Sequence, residues 1–384
     1  MGSSLLLGVV HSAGRAQLAR AVTFALAVIF ANVAAAVPVE NLYDAQVDVP
    51  SQSAADREAG IRNAFGAVLV KLTGDLQAAK RPEAQLMLKQ AERYVEQYQY
   101  SQKRGSPGQT VQGETLWVGF DASAVTRSLQ DSGLPIWGRN RPYLIMWIGV
   151  EESGRRYLVE PGTQSELRSA VETAAAARGL PLLLPLMDLE DQAAIDAADV
   201  WGNFSDRIAK ASSRYRANGI LVGRIHKEPT GQWRSRWSLD EGGTSNQWEA
   251  RSGSLREALT AGVDGTADVL ARRYAQVLTA SSEELSFAVE DVNSTARYAK
   301  VVRYLESLES VGDLRVVAVE GERVLFRLRL RTDRDGLGRS LALGDLLVPT
   351  NGEAPVTDPD GQPAPAPPPV SGAMAADLVY RVVP

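Results

Sequence analysis

Leu314-Arg315-Val316-Val317-Ala318-Val319-Glu320-Gly321-Glu322-Arg323-Val324-Leu325-Phe326-Arg327-Leu328-Arg329-Leu330 is the stretch that decides the fold of the last section. Two runs rich in β-branched and apolar residues flank Glu-Gly-Glu, so residues 314–319 and 323–330 pair as a tight hairpin. Upstream, Leu285, Phe287 and Val289 alternate as a strand, and Asn293 or Ser294 caps a helix carrying Val301, Val302, Leu305 and Leu308. Downstream, residues 333–343 form a short helix and residues 377–383 a final strand. The order β-α-β-β-α-β predicts a ferredoxin-like domain over residues 281–384. Within it, residues 351–372 carry Pro, Ala, Asp and Gly with almost nothing to bury, as in a flexible loop or polyproline spacer.

Working back, Tyr143-Leu144-Ile145-Met146-Trp147-Ile148-Gly149-Val150 is a continuous apolar run, the pattern of a strand covered on both faces. A helix over 163–178, a buried strand Leu182-Leu183-Leu184, a helix over 205–217 and a third strand over 219–223 follow. This alternation predicts a three-layer α/β middle domain over 142–280. Residues 233–239 and 247–250 add an edge hairpin across Gly242-Gly243, and a helix over 254–278 closes the unit.

The first domain, residues 37–141, reads as a small α+β unit. Tyr43, Ala45, Val47 and Val49 alternate as a strand, and Ser53 caps a helix with Ile61, Phe65, Val68, Leu69 and Leu72 on one face, stopped at Gly74. Pro82 opens a second helix whose Met87, Ala91, Tyr94, Val95 and Tyr98 share a face. Residues 105–108 turn the chain into a strand over 116–120, followed by a helix over 122–132. The fold class is therefore a multidomain mixture of α+β and α/β.

Residues 1–36 contain Arg15 and Arg20 but no Asp, Glu or Lys, then an apolar run from Ala21 to Phe30, then Ala34-Ala35-Ala36. Positive start, apolar centre of ~7–15 residues and small residues at the end are the order of a secretory signal peptide. The expected location is periplasmic, with membrane attachment only if the segment stays uncleaved. The chain has no cysteine and a net charge of −5, and removal of residues 1–36 would make it more acidic. Disulfides, thiolate chemistry and Cys-ligated zinc are excluded, and the overall field does not favour nucleic acid.

Candidate site residues fall in four places. Trp137, Arg139, Asn140 and Arg141 form a polar-aromatic loop, and Trp201 with Asn203 forms another. Rings beside amides and guanidinium groups suit stacking on sugars, anchoring a partner, or filling a domain junction. Asp188, Glu190 and Asp191 follow a strand end, where ligands of open α/β sheets gather. They suit a hard cation or acid/base work, but acidic residues also start helices, here over 193–198, and that is the preferred reading. Arg323, Arg327, Arg329 and Arg331 share one strand face, placed to meet anions or to pair with Glu290, Glu320 and Glu322. His226, the one histidine outside residues 1–36, stands at a strand end without a partner set. Phosphate-loop, dinucleotide and nucleophile-elbow motifs are absent.

Several stretches together resemble a known family. Residues 69–74 (Leu-Val-Lys-Leu-Thr-Gly), 134–142 (Leu-Pro-Ile-Trp-Gly-Arg-Asn-Arg-Pro), 179–191 (Gly-Leu-Pro-Leu-Leu-Leu-Pro-Leu-Met-Asp-Leu-Glu-Asp) and 199–204 (Asp-Val-Trp-Gly-Asn-Phe) are similar to an exported proteobacterial family, domain of unknown function 2066. The resemblance spans roughly residues 40–280 and implies a Gram-negative envelope setting, with no reaction or cofactor attached. The expectation is a non-catalytic binding or scaffold protein with no cofactor and no metal. Its partner would be an envelope protein or a cell-wall component. A carboxylate-based hydrolase and a peptidoglycan-binding module are the alternatives.

Overall fold

Ser53 starts the first helix as the sequence pattern requires: its Oγ accepts the Asp56 N–H at 3.2 Å. The computed structural model describes residues 37–102, 113–160, 165–279, 283–344, 346–350 and 375–383. Residues 1–36, expected to form a signal peptide, the expected turn at 105–108 and the Pro-rich stretch 351–372 lie outside them.

In the first section, β2 (Asp44–Val49), β3 (Val95–Gln102) and β4 (Glu114–Phe120) form an antiparallel sheet in the order β2-β4-β3. Helix α1 (Ala54–Thr73) covers one face and ends where Gly74 takes the left-handed conformation, φ 69°. Phe65, Val68, Leu69, Leu116 and Val118 make the buried core, each side chain contributing ~1.5–3 kcal/mol by leaving water. Helix α2 (Pro82–Lys89) is shorter than its apolar periodicity predicts. Val95 and Tyr98 do not continue its face: residues 95–102 form the strand β3, because pairing with β4 satisfies their main chain. Helix α3 (Ala122–Asp131), capped by Asp121, follows β4.

Three short strands, β1 (Val37–Pro38), β5 (Pro135–Ile136) and β6 (Asn140–Arg141), stitch the section ends together; β1 pairs with β6. The middle section is built on β7 (Leu144–Glu152), whose first seven residues are all buried. Its neighbours are β10 (Gly219–Lys227), parallel, and β8 (Arg155–Leu158), a hairpin partner that sequence patterning did not reveal. The short β9 (Leu182–Leu183) also pairs with β7, and β11 (Trp233–Glu241) with β12 (Thr244–Ser252) extends the sheet through the Gly242-Gly243 turn. Helices α4 (Ser165–Arg178) and α8 (Leu255–Tyr274) contribute to the core on one face. The other face packs residues from α5 (Leu189–Ala194), α6 (Ala197–Gly202) and α7 (Ser205–Ser212).

The helix expected over 193–198 is two helices broken at Ile195. Asp196 and Asp199 cap the second one reciprocally, at 2.9 and 3.0 Å, which favours a new start over continuation. Trp237 of β11, 1 % exposed, lies where Gly223 and Gly262 leave bare backbone; a Cβ at either position would overlap the indole.

After β13 (Gln276–Val277), which pairs with β5, the last section runs β14 (Glu283–Glu290), α9 (Thr295–Glu306), β15 (Val311–Glu320), β16 (Arg323–Leu330), α10 (Arg334–Ala342), β17 (Leu347–Pro349) and β18 (Leu378–Val382). The sheet order is β15-β16-β14-β18-β17. The final strand lies beside β14 and runs parallel to it, and β17, which no sequence pattern announced, adds an outer strand. Among the described residues no helix is long and apolar enough to cross a membrane.

Candidate functional site

Arg141 is the side chain around which the first and middle sections meet. It is fully buried, and its guanidinium donates to five carbonyls: Gly138, Arg178, Gly179, Lys71 and Trp137, at 2.7–3.0 Å. Two of these acceptors, Lys71 and Arg178, stand in the last turns of α1 and α4, where carbonyls lack helical partners and the helix dipole is negative. The Trp137 ring, also buried, is 4.1 Å from the guanidinium carbon, and the Trp137 main-chain N–H donates to Leu72 O at 2.6 Å. Burial pushes the Arg141 pKa down to about 9, which leaves the cation in place at neutral pH. Arg178 repeats the device: it bonds Gly74 O at 2.8 Å and pairs with Asp264 and Asp268 at 3.0 and 2.6 Å. Trp137 and Arg141 therefore hold a junction and present no face to a ligand. Asn140 lies in β6 beside β1, while Arg139 is exposed and its N–H donates to Glu309 of the last section at 3.2 Å.

Asp188, Glu190 and Asp191 come together around Arg214. Asp188 caps α5 and takes Arg214 at 2.7 and 2.8 Å, which holds its carboxyl far below the usual range. Asp191 is fully buried and accepts from Arg214 at 3.0 Å, from Met187 N–H at 2.9 Å and from the Tyr215 hydroxyl. Glu190 stands 3.5 Å from the same guanidinium. A cation already occupies the position a metal would take, and both Asp191 oxygens carry donors. Burial, and then the Asp191 carboxylate, push the Tyr215 pKa up to about 12. Among the described residues no group of three or more His, Asp or Glu side chains is arranged to hold a metal ion.

Trp201 in α6 has Arg156 4.8 Å from its ring and His226 at its edge, 6.3 Å away. Asn203 is the left-handed C-cap of that helix, φ 55°, a position its short side chain tolerates. The arginine row is split by its partners. Arg323 pairs with Glu290 at 2.9 Å, and Arg327 and Arg329 share Glu284 at 4.0 and 3.9 Å. Glu284, opposite Arg329 in the neighbouring β14, is a partner that the expected set of Glu290, Glu320 and Glu322 did not include. Arg331 turns instead to a cleft of about 390 Å³ between α3 and α9, where it meets Arg139, Arg127 and Glu309.

A larger recess lies elsewhere, and sequence reasoning missed it. A groove of about 900 Å³ runs between β2 and α4, lined by Glu40, Asp44, Gln46 and Asp48 on one side and Thr173, Ala176 and Ala177 on the other. Trp117 of β4 also lines it. Gln46, Trp117 and Gln99 stand in one row across β2, β4 and β3, on the face away from α1. The indole extends over Gly119, where a Cβ would touch the ring at 2.9 Å. The alternation of residues 43–49 was legible, but nothing local tells an edge strand from a central one.

No curated protein matches the chain. A family model described as Domain of unknown function (DUF8605) matches residues 36–138. That finding overturns the resemblance to domain of unknown function 2066: the matched family is a different one, and its match stops before the 179–191 and 199–204 stretches that carried the resemblance. By this comparison the section that bears β2, α1 and the Gln46–Trp117–Gln99 row is similar to a domain of unknown function, DUF8605.

Proposed function

We propose that this chain is an exported, non-catalytic binding or scaffold protein that works in the periplasm by contact with an envelope protein, held in the groove between β2 and α4. The observation that carries the proposal is the groove itself. It encloses about 900 Å³, it mixes polar, acidic and aromatic lining, and a main-chain edge opens into it. Two buried ionisable clusters outside it are committed to structure, Arg141 and Arg178 at the junction and Asp191 with Asp188 around Arg214, which supports binding over catalysis at those places. The export half of the proposal rests on residues 1–36, since the family resemblance that pointed to a Gram-negative setting does not hold. We also read the last section as a variant of the ferredoxin-like unit in which β17, after α10, stands for the fourth strand and β18 is inserted between it and β14, parallel to β14.

A photo-crosslinking residue placed at Ala177, in the groove wall, tests the contact. The same adduct should form in repeated preparations of intact cells and be absent when the crosslinker sits at exposed Arg315. Adducts equal at both positions, or none at Ala177, would remove the proposal. Fractionation of the same cells should place the chain in the periplasm; recovery in the cytoplasm would end the export reading.

A further inference from the structure

We infer that β2 receives an added strand: an extended, lysine- or arginine-bearing polypeptide segment of the partner lies in the groove, hydrogen-bonded to the main chain at Gln46. The inference rests on the proposal that this groove binds, and names what it takes.

Strand β2 pairs with β4 on one side only. The Phe120 N–H donates to Tyr43 O at 2.9 Å, so residues 43 and 120 form a hydrogen-bonded pair. The register then makes 45 with 118, 47 with 116 and 49 with 114 pairs of the same kind. Residues 44, 46 and 48 therefore turn their N–H and C=O groups away from β4. The Asp44 carbonyl accepts the Lys71 ammonium at 2.9 Å. The next pair of outward groups, on Gln46, has no partner among the described residues.

Edges are ordinarily blunted against strand addition by lysine, proline or a bulge. Strand β2, Asp-Ala-Gln-Val-Asp-Val, has no lysine, proline or bulge of its own; Lys71 covers the edge at the Asp44 carbonyl, and Asp44 and Asp48 charge it against acidic strands. What stands opposite is a wall of small, exposed side chains, Thr173, Ala176 and Ala177 of α4. An incoming strand needs about 4.8 Å of lateral spacing, and small residues on α4 leave such room.

Charge identifies the partner's chemistry. Glu40, Asp44 and Asp48 line the groove with one lysine, Lys71, whose ammonium donates to the Asn41 and Asp44 carbonyls at 2.9 Å and lies 3.8 Å from the Asp44 carboxylate, so the acidic side chains outnumber the basic one. A basic strand complements this lining, while an acidic one meets like charge. Trp117, beside Gln46 in the same row, offers an apolar surface to one of the added side chains.

The test pans a display library of random short peptides against the full chain, then measures affinities of the enriched sequences as synthetic peptides. Enrichment of Lys or Arg at alternating positions is expected. Gln46→Pro removes the outward N–H, and proline is tolerated at an edge; it should weaken binding about tenfold with the thermal midpoint little changed. Ala177→Arg, on an exposed helical position, should also weaken it by filling the groove and adding positive charge. No enrichment, enrichment without basic residues, or unchanged affinity in both variants overturns strand addition. Binding of purified cell-wall glycan that Trp117→Ala abolishes and Gln46→Pro spares would overturn it in favour of sugar stacking. If the Ala177 crosslink captures the partner undiminished in Gln46→Pro cells, contact through the groove stands and strand addition falls.

Discussion

Gly179 leaves bare backbone where the Arg141 guanidinium crosses it: a Cβ on Gly179 would stand 2.6 Å from Nη1. Gly179 also has φ 62°, so the position is closed to other side chains on two counts. The glycine lets one cation reach the carbonyls that two helix ends leave open. Arg141→Leu would strand those carbonyls in a dry interior, and the expected loss is about 3–5 kcal/mol in urea unfolding. Exposed Arg139→Ala should change stability by ~0.5 kcal/mol or less. Equal, small effects from the two variants would show that the junction does not depend on Arg141.

Tyr215 makes stability fall in alkali. Its folded pKa, about 12, lies above the ordinary tyrosine value of 10.0, because burial and the Asp191 carboxylate disfavour the phenolate. Stability from the protonated hydroxyl is complete below pH 10 and is lost as the pH rises from 10 towards 12. Tyrosinate absorbance followed against pH should show a late-titrating group that Tyr215→Phe removes. Titration of every tyrosine near 10 would contradict the Asp191 contact.

Asp188 has the opposite sign. Arg214 and the Asp191 N–H lower its folded pKa, so it stabilises above the ordinary carboxylate value, and that contribution disappears as the pH falls below ~3.9. Asp188→Asn should therefore be less stable than the parent at pH 7 and no less stable in strong acid. A stability difference independent of pH would point to a lost cap alone.

Trp237 is sandwiched against two glycines, and that packing sets a steric limit. Gly262→Ala places a methyl group inside the indole's volume and should cost about 1–3 kcal/mol despite alanine's better helix propensity, measured as a lower urea midpoint. A stabilised Gly262→Ala chain would mean that the ring has room to move.

Much of the fold was legible because its signals are local. Ser53 and Ser294, two of the residues read as caps, each precede a helix and accept a first-turn N–H, and Asp121, Ser254 and Asp333 do the same without having been singled out. The buried run at 144–150 and the Gly242-Gly243 turn were equally readable. Non-local choices were not. Residues 95–102 become a strand because β4 is there to pair with them, and β18 lies parallel to β14 through long-range pairing. The candidate site follows the same division: Trp137 and Arg141 stood out by residue type, yet burial between two helix ends gives them a structural task. Gln46 was inconspicuous because edge position belongs to the assembled sheet.

Amide hydrogen exchange at Gln46, measured in the full chain with and without an enriched basic peptide, addresses the central claim most directly. In the free chain its outward N–H should exchange quickly, while Ala45 and Val47, bonded to β4, exchange slowly. Saturating peptide should slow Gln46 by about tenfold or more. Unchanged exchange at Gln46 under saturating peptide, with protection appearing elsewhere, would contradict strand addition at β2.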